Sequence, residues 1–160
     1  MNLRKGNQPQ MVKSRQVSRS RGLDLARVLL VDDDLTSRLT LQTVLEAGGY
    51  RVDAAASAAE AVEKLDDQEY ELVLSDLRME SPEAGLKVLA HARMMDYKPA
   101  TALITTYHNS RTRGSSRSAA GTMLIEPEDL PGLLSRVADL ISERATRRVE
   151  RELRHATSCQ

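Results

Sequence analysis

Two groups of acidic residues each follow a short apolar segment, and this arrangement restricts the folds open to the chain. Asp32-Asp33-Asp34 follows Arg27–Val31, and Asp76 follows residues 72–75, so that Asp32 and Asp76 are 44 positions apart. Apolar segments of this length are typical of strands buried in a parallel sheet. Because such strands end at one edge of the sheet, where α/β proteins place their functional groups, we expect these carboxylates to converge.

The expected cluster of carboxylates requires a counter-charge. Several like charges in one cleft repel one another unless a cation lies between them. Magnesium is a hard cation that binds through a couple of carboxylates and retains several waters. The acidic groups therefore predict a site for a divalent cation such as magnesium.

From residue 27 onward, segments of strand character alternate with segments of helical periodicity. Gly48-Gly49 is a typical helix end, Ser57 and Glu60 have the spacing of a capping box, and Pro131 suits the first turn of a helix. The alternation, with its short connections, predicts an α/β fold in which a doubly wound parallel sheet carries helices on both faces. The five strands are predicted at residues 27–31, 50–54, 71–75, 101–105 and 122–125.

Two parts of the chain depart from this regular pattern. Residues 107–120 occupy the place of the fourth helix but contain almost no apolar side chains, so we expect a short or irregular element there. The last helix has an apolar stripe through Leu133, Val137 and Ile141, which continues more sparsely through Val149 to Leu153. This stripe predicts that the last helix extends beyond the globular part.

The formal net charge of zero conceals an uneven distribution. Residues 1–27 carry a net charge of +6, residues 28–143 one of −9 and residues 144–160 one of +3. We predict a disordered basic arm at residues 1–25, a folded domain at residues 26–143 and a basic helical extension and tail at residues 144–160. The arm lacks the aromatic residues used in base stacking, so we expect no nucleic-acid partner. The alternative for this arm is contact with nucleic acid, with an anionic surface or with the acidic domain itself.

Composition excludes several classes of protein. The single cysteine, Cys159, rules out an intrachain disulfide. No apolar run has the length of a membrane span, and the polar N-terminus lacks the apolar core of a secretion signal, so we expect a cytoplasmic protein without a membrane partner. The three histidines lack metal-ligand spacing, and no Walker loop, dinucleotide fingerprint or nucleophile elbow occurs.

Three motifs, in this order and at this spacing, resemble the receiver domain of two-component response regulators. They are residues 28–34, residues 74–79 with Gly85 after them, and Leu103-Ile104-Thr105. The resemblance covers about residues 26–143 and implies a flavodoxin-like sheet of five βα units. It also implies a phosphoprotein of a phosphorelay, which acts in signal transduction and catalyses only its own phosphorylation.

The resemblance assigns roles to individual residues. Asp76 matches the aspartate that accepts a phosphoryl group, and Thr105 matches the hydroxyl residue that hydrogen-bonds this group. Asp32 and Asp33 match the residues that hold magnesium, directly or through water. Asp76 itself and the backbone carbonyl of Arg78 complete the expected set of metal ligands. A bound cation offsets the repulsion between a carboxylate nucleophile and a negatively charged phosphoryl group.

Several residues depart from the family pattern, and Glu126 is the most consequential. It stands where the family has a lysine that pairs with the acceptor aspartate and the phosphoryl oxygens. A carboxylate about 5 Å away would reverse an interaction of about 3 kcal/mol at an effective dielectric of about 20. Met123 replaces an aromatic residue, Thr106 a smaller residue, and Met79-Glu80 the usual Met-Pro. A second interpretation is therefore a degenerate pseudo-receiver that binds partners without phosphorylation.

A third interpretation is a phosphatase of the haloacid-dehalogenase type. Residues 32–36 match its DxDxT signature, in which Asp32 would attack phosphorus and Asp34 would act as acid and base. That family also requires a second acidic pair, and no such pair follows the fourth predicted strand. The chain is also short for that fold, so we prefer the receiver interpretation.

The expected partners of a receiver are proteins. They are a sensor histidine kinase or phosphotransfer protein as the phosphoryl donor, and a downstream protein as the target. The chain ends soon after the receiver-like part, so we expect a stand-alone receiver that signals by protein contact. The extended last helix also suits a homodimer, although Arg144, Arg147, Arg148 and Arg151 suit a solvated helix equally well.

Overall fold

A computed structural model describes residues 25–77, 79–104, 124–125 and 129–158 of the chain. Each of the predicted strands at 50–54, 71–75 and 101–105 is displaced by one residue in the structure, which leaves the order of elements unchanged. The elements in chain order are β1 (Arg27–Val31), α1 (Leu35–Ala47), β2 (Arg51–Ala55), α2 (Ala58–Asp67), β3 (Leu72–Asp76), α3 (Ala84–Met94), β4 (Ala100–Ile104), β5 (Leu124–Ile125) and α4 (Leu130–Thr157).

The strands form a parallel sheet in which β1 lies between β2 and β3, and β4 lies beside β3. β1 pairs with β2 over five positions and with β3 over four. β5 lies beside β4 and pairs with it at two positions, Leu103 opposite Leu124 and Ile104 opposite Ile125. The predicted parallel α/β arrangement is confirmed for β1 to β4, and the fifth strand is described over these two residues.

Successive residues of β1 point to opposite faces of the sheet, and a pair of helices covers each face. Val28 and Leu30 pack with α1 and α4, whereas Leu29 and Val31 pack with α2 and α3. All four side chains are fully buried. Burial on both faces explains why the sequence of β1 is continuously apolar, as is typical of a central strand in a parallel sheet.

Hydrogen bonds from side chains fix the starts of α1 and α2. Asp34 is the N-cap of α1, because its Oδ2 accepts a hydrogen bond from the Ser37 amide at 2.7 Å. Ser57 is the N-cap of α2 and accepts from the Glu60 amide at 3.1 Å. Glu60 in return accepts from the amide of Ala56, the residue before the cap, at 2.9 Å. The predicted capping box is therefore present, with its return bond one residue earlier than in the standard motif.

The buried face of α3 is formed largely by small residues at its start. Leu86 and Met94, which belong to the apolar pattern of this helix in the sequence, are 50% and 76% exposed. Ala84 and Gly85, the first two residues of the helix, are both buried. The buried residues of α3 are Ala84, Gly85, Val88, Leu89 and Ala92.

Gly85→Ala is expected to lower the free energy of unfolding by about 2–3 kcal/mol, the upper range for overpacking a core. An added Cβ would overlap the backbone carbonyl oxygen of Asp76, which β3 holds in the centre of the sheet. Gly132→Ala is the comparison, because the three atoms nearest to its added Cβ belong to the Asp129 side chain, which can rotate away at the cost of its N-cap hydrogen bond to the Gly132 amide, about 1 kcal/mol. Urea denaturation measures both variants, and equal losses would contradict a specific requirement at Gly85.

α4 extends beyond the sheet, as the sparse continuation of its apolar stripe predicted. Its 28 residues correspond to a length of about 42 Å. In the second half, Val149 and Leu153 are 54% and 62% exposed. The buried residues of α4 all precede residue 145 and are Leu133, Val137, Leu140 and Arg144.

Some predictions concern residues outside the described part of the chain. They include the basic arm up to residue 24, the irregular element at 107–120, and the site residues Arg78, Thr105 and Glu126. Among the residues that the structure describes, no helix combines the length and apolar character needed to cross a bilayer.

Candidate functional site

Asp32, Asp33 and Asp76 come together at the edge of the sheet where the strands end. Asp32 and Asp33 follow β1 directly, and Asp76 is the last residue of β3. The two strands are neighbours with Val31 opposite Ser75, which places the next residue of each strand side by side. One carboxylate oxygen from each of the three aspartates lies within 4.8 Å of the other two. The structure thus brings together acidic residues from both groups identified in the sequence.

The three carboxylates differ in their access to water. Asp32 is 1% exposed and Asp76 is 5% exposed, whereas Asp33 is exposed. Burial raises the pKa of the Asp32 carboxyl, and the charges of Asp33 and Asp34 raise it further. The nearby Ser37 side chain and the hydrogen bond from the Asp34 amide lower this pKa and so oppose these effects. On balance, the site without a cation disfavours the ionised form of Asp32.

One oxygen of Asp32 is buried without a hydrogen bond from the described residues. Oδ1 accepts from the Asp34 amide at 2.9 Å, whereas Oδ2 has no donor. A buried polar atom without a partner costs about 1–3 kcal/mol, and more when it is charged. A divalent cation would bind this oxygen and neutralise the repulsion among the three aspartates. An all-oxygen set of carboxylates is the chemistry that magnesium prefers, so these residues fit that ion.

Asp34 is not part of this cluster. Its carboxylate caps α1 through the Ser37 amide, and it is exposed. A general acid must reach the atom to which it delivers a proton, whereas Asp34 is held at the start of the helix. The arrangement therefore pairs Asp32 with Asp76, and it does not favour the Asp32 and Asp34 pair of the phosphatase interpretation.

Arg38 is a residue of this site that the sequence interpretation did not include. Its Nη1 donates a hydrogen bond of 2.6 Å to the backbone oxygen of Asp32, which brings a positive charge next to the acidic cluster. Side chains on a helix point back toward its N-terminus, so a cation one turn after the N-cap Asp34 can reach the end of β1. That position was the signal available in the sequence.

The loop after β3 is tied to the start of α2. Glu80 Oε1 accepts a hydrogen bond from the Ala58 amide at 2.9 Å, in the first turn of α2. A carboxylate at the N-terminus of a helix is favourable because the first amides are unpaired and the helix dipole is positive there. Glu80, which stands where the family usually has proline, thus holds the loop after β3 against the start of α2.

Three further predicted site residues lie outside the described part of the chain. Thr105 directly follows Ile104, the last residue of β4, and Glu126 directly follows Ile125, the last residue of β5. Arg78 follows Leu77, whose amide donates to the Ile104 carbonyl at 3.0 Å. The roles expected for these three residues stay predictions.

Comparison with known sequences identifies the family of the chain. Residues 28–137 match the response regulator receiver domain family. The transcriptional regulatory protein ZraR of Klebsiella oxytoca is 32% identical over 107 residues, which are 66% of this chain and 24% of that protein. The sensory/regulatory protein RpfC of Xanthomonas campestris is 29% identical over 119 residues, which are 71% of this chain and 16% of that protein. The chain therefore spans about a quarter, or less, of the length of these relatives.

Solved structures with similar folds are also receivers. A response regulator receiver protein from Sinorhizobium medicae has a TM-score of 0.63 and 26% identity, with 74% of this chain and 95% of that chain covered. The response regulator TrrA of Thermotoga maritima, solved in complex with Mg(2+)-BeF, has a TM-score of 0.58 and 30% identity, with 71% and 97% covered. On the family match, the parallel α/β fold and these likenesses, the chain belongs to the response regulator receiver domain family.

Proposed function

We propose that this chain is a phosphoacceptor of a two-component pathway, in which Asp76 receives a phosphoryl group from a histidine kinase or phosphotransfer protein. The observation that carries this proposal is the convergence of Asp32, Asp33 and Asp76 within 4.8 Å at the ends of β1 and β3. Receiver domains are signalling modules rather than classical enzymes. The proposed chemistry is accordingly limited to the chain's own phosphorylation.

Asp32, Asp33 and one oxygen of Asp76 are the proposed ligands of magnesium, together with the backbone carbonyl of Arg78. The buried Oδ2 of Asp32, which lacks a hydrogen bond within the described residues, supports a role as anchor of the ion. When bound, magnesium offsets the negative charge of the incoming phosphoryl group. TrrA, a relative of this chain, was solved with Mg(2+)-BeF.

The proposed transfer forms one bond and breaks one. A carboxylate oxygen of Asp76 bonds to phosphorus while the bond from phosphorus to the donor histidine breaks, and its electron pair stays on the imidazole nitrogen. Asp76 pairs with Ile104 in the sheet, and Gly85 lies against its carbonyl, so its backbone is held in place for this reaction. The Thr105 hydroxyl is proposed to donate a hydrogen bond to the transferred group.

A mass measurement on the full chain tests this proposal. After incubation with acetyl phosphate and magnesium, we expect a gain of one phosphoryl group that is stable in acid, lost in base and prevented by EDTA. No gain under conditions that label another receiver would establish the pseudo-receiver alternative, which Glu126 at the family's lysine position favours. Turnover of a generic phosphatase substrate that requires Asp32 but not Asp76 would establish the phosphatase alternative.

Exposed leucines beside the site indicate where the phosphoryl donor would dock. Leu35 and Leu39 are 58% and 53% exposed on α1, one turn apart and directly after the acidic residues. We expect Leu39→Arg to slow phosphorylation by a cognate kinase about tenfold or more, the effect of losing about 1.4 kcal/mol of binding at an interface residue. Labelling by acetyl phosphate should not change, because this small molecule needs no docking surface.

Leu153→Arg is the matched control for this experiment. Leu153 is 62% exposed but lies on the part of α4 that extends beyond the sheet, so its substitution should leave the kinase reaction unchanged. Radiolabel transfer from the autophosphorylated kinase measures both variants. Equal rates for Leu39→Arg and the wild type would exclude this face of α1 as the docking surface.

The organisation of the chain is part of the proposal. The receiver domain would comprise residues 26–143 with a complete fifth strand at residues 122–125, between a basic arm at 1–25 and a basic extension at 144–160. α4 is continuous across residue 143, so the extension begins within a helix of the domain. The phosphorylated domain would act in the cytoplasm by contact with a downstream protein.

A further inference from the structure

A row of arginines on α4 lies where the helix leaves the sheet. They recur every three or four residues, so they share one face of the helix over about 15 Å. With Lys98 they line a groove of about 390 Å³, which we name the arginine groove. The arginines of this groove are Arg144, Arg147, Arg151 and Arg154.

The arginine groove has a rigid base and unneutralised charges. Arg144 is 8% exposed, and it donates hydrogen bonds to the backbone oxygens of Lys98 at 3.0 Å and Tyr97 at 2.8 Å. Arg154 forms an exposed ion pair with Glu150, with 3.9 Å between Arg154 Nη2 and Glu150 Oε2. Arg147 and Arg151 are exposed and form no ion pair with any described residue, which leaves two positive charges for a partner.

A groove of opposite charge lies on the other side of residues 97–98. It has a volume of about 420 Å³, and we name it the acidic groove. Met94, which is 76% exposed, adds an apolar surface to its rim. Asp66 pairs with His91 at 2.8 Å, whereas the other carboxylates of the groove form no ion pair within the described ranges. The carboxylates of the acidic groove are Asp66, Asp67, Glu69 and Asp96.

The pKa of Tyr97 is raised in part by the negative charge of the acidic groove. Its hydroxyl donates to the Leu65 carbonyl at 3.0 Å, which holds the ring in the groove wall. Burial raises the pKa of Tyr97 to about 12, with further contributions from Asp66 and Glu69. The two grooves thus meet at Tyr97 and Lys98, with negative charge on one side and positive charge on the other.

Both grooves lie at the edge of the sheet opposite the candidate site. Residues 65–69 precede β3 and residues 94–99 precede β4, so they are at the edge where the strands begin. Asp32, Asp33 and Asp76 lie where β1 and β3 end. A partner on the grooves would therefore leave the aspartates accessible.

We infer that two copies of this chain associate through these grooves, with the arginine groove of each copy on the acidic groove of the other. A two-fold symmetric dimer uses the same surface on both copies, so both charge pairings form in a single association. Nucleic acid would neutralise the arginines but would lie next to the carboxylates of the acidic groove. An acidic protein would leave that groove unmatched. A second copy is the partner that satisfies both grooves.

Sedimentation of the full chain over a range of concentrations tests the dimer. The paired charges are at the surface, so we expect association at low ionic strength and at least tenfold weaker association when salt shortens the Debye length to about 3 Å. A chain that stays monomeric at low ionic strength at the highest attainable concentration would overturn the inference. So would a dimer that salt does not weaken.

Two charge-reversed variants make the test specific. Arg147→Glu with Arg151→Glu reverses two of the charges in the arginine groove, and Asp67→Lys with Glu69→Lys reverses two of the charges in the acidic groove. Each variant alone should associate at least tenfold more weakly than the wild type, because the substituted residues would face groups of like charge. An equimolar mixture should restore association, because the new glutamates of the first variant would face the new lysines of the second, and the unchanged arginine and acidic grooves would face each other. Failure of the mixture to associate would overturn the inference.

Controls separate the dimer from effects of total charge and from another partner. Lys64→Glu with Lys87→Glu changes the net charge by the same amount as the arginine variant, at ion pairs with Glu60 and Glu83 outside both grooves, and should still dimerise. A monomeric wild type that binds labelled duplex DNA, with binding lost in the arginine variant, would assign the groove to nucleic acid instead. Neither result depends on phosphorylation of Asp76.

Discussion

Asp76→Asn is expected to abolish the phosphoryl mass gain from acetyl phosphate completely. The amide has almost the same shape as the carboxylate but cannot act as the nucleophile toward phosphorus. Asp76 is 5% exposed at the end of β3, so the fold should accept an isosteric substitution there. Intact-mass measurement after incubation with acetyl phosphate and magnesium detects the loss, and circular dichroism verifies the fold.

Asp139→Asn is the matched control for this experiment. Asp139 is an exposed aspartate on α4, outside the acidic cluster, and its substitution should leave the mass gain unchanged. A gain that persists in Asp76→Asn would assign the phosphoryl group to another residue.

Glu126→Lys in the same assay should increase the rate of labelling, because a cation would replace the carboxylate at the family's lysine position.

Asp32→Asn is expected to stabilise the protein in the absence of divalent cations, by about 2 kcal/mol. The variant removes one charge from a set of carboxylates with oxygens within 4.8 Å of one another, where the repulsion of one pair is about 3 kcal/mol at an effective dielectric of about 20, and water at the exposed Asp33 reduces it to the value expected here. The asparagine oxygen can still accept the Asp34 amide, and its NH₂ group would replace the buried Oδ2, which has no donor among the described residues. Urea denaturation in EDTA measures the difference.

The exposed neighbour Asp33 provides the comparison for this variant. Asp33→Asn removes the same charge, but water already screens the exposed carboxylate, so its stabilising effect should be smaller. The expected order of stability in EDTA is Asp32→Asn above Asp33→Asn, and both above the wild type. A wild type more stable than Asp32→Asn would show that the buried carboxylate is satisfied without a cation.

The positions of β1 to β4, to within one residue, and the meeting of the acidic residues at their ends were predictable, because both depend on the local apolar pattern. The continuous apolar sequence of Arg27–Val31 indicates burial on both faces, and that burial is observed. Because β1 and β3 are adjacent and parallel, the residues at their carboxyl ends lie side by side, and Asp32 after β1 meets Asp76 at the end of β3. One feature of the sequence therefore determined both the sheet and the cluster.

Other features depend on contacts between distant residues, which periodicity does not reveal. The apolar pattern did not show that Leu86 would be exposed, because the close approach of Gly85 to the Asp76 carbonyl sets the rotation of α3 against the sheet. Arg38 joins the site by a hydrogen bond to the backbone oxygen of Asp32, and its position one turn after the N-cap did not by itself identify this acceptor. The hydrogen bond from the Ala58 amide to Glu80 likewise joins the start of α2 to the loop after β3, 22 residues later in the chain.

A magnesium titration followed by thermal or urea unfolding tests whether aspartates from both acidic groups bind one shared cation. At a magnesium concentration about 100 times the dissociation constant, binding should add about 2.7 kcal/mol to the free energy of unfolding of the wild type. The same titration should leave Asp32→Asn and Asp76→Asn nearly unchanged. An equal stabilisation of the wild type and both variants, or none in any of them, would contradict a shared site.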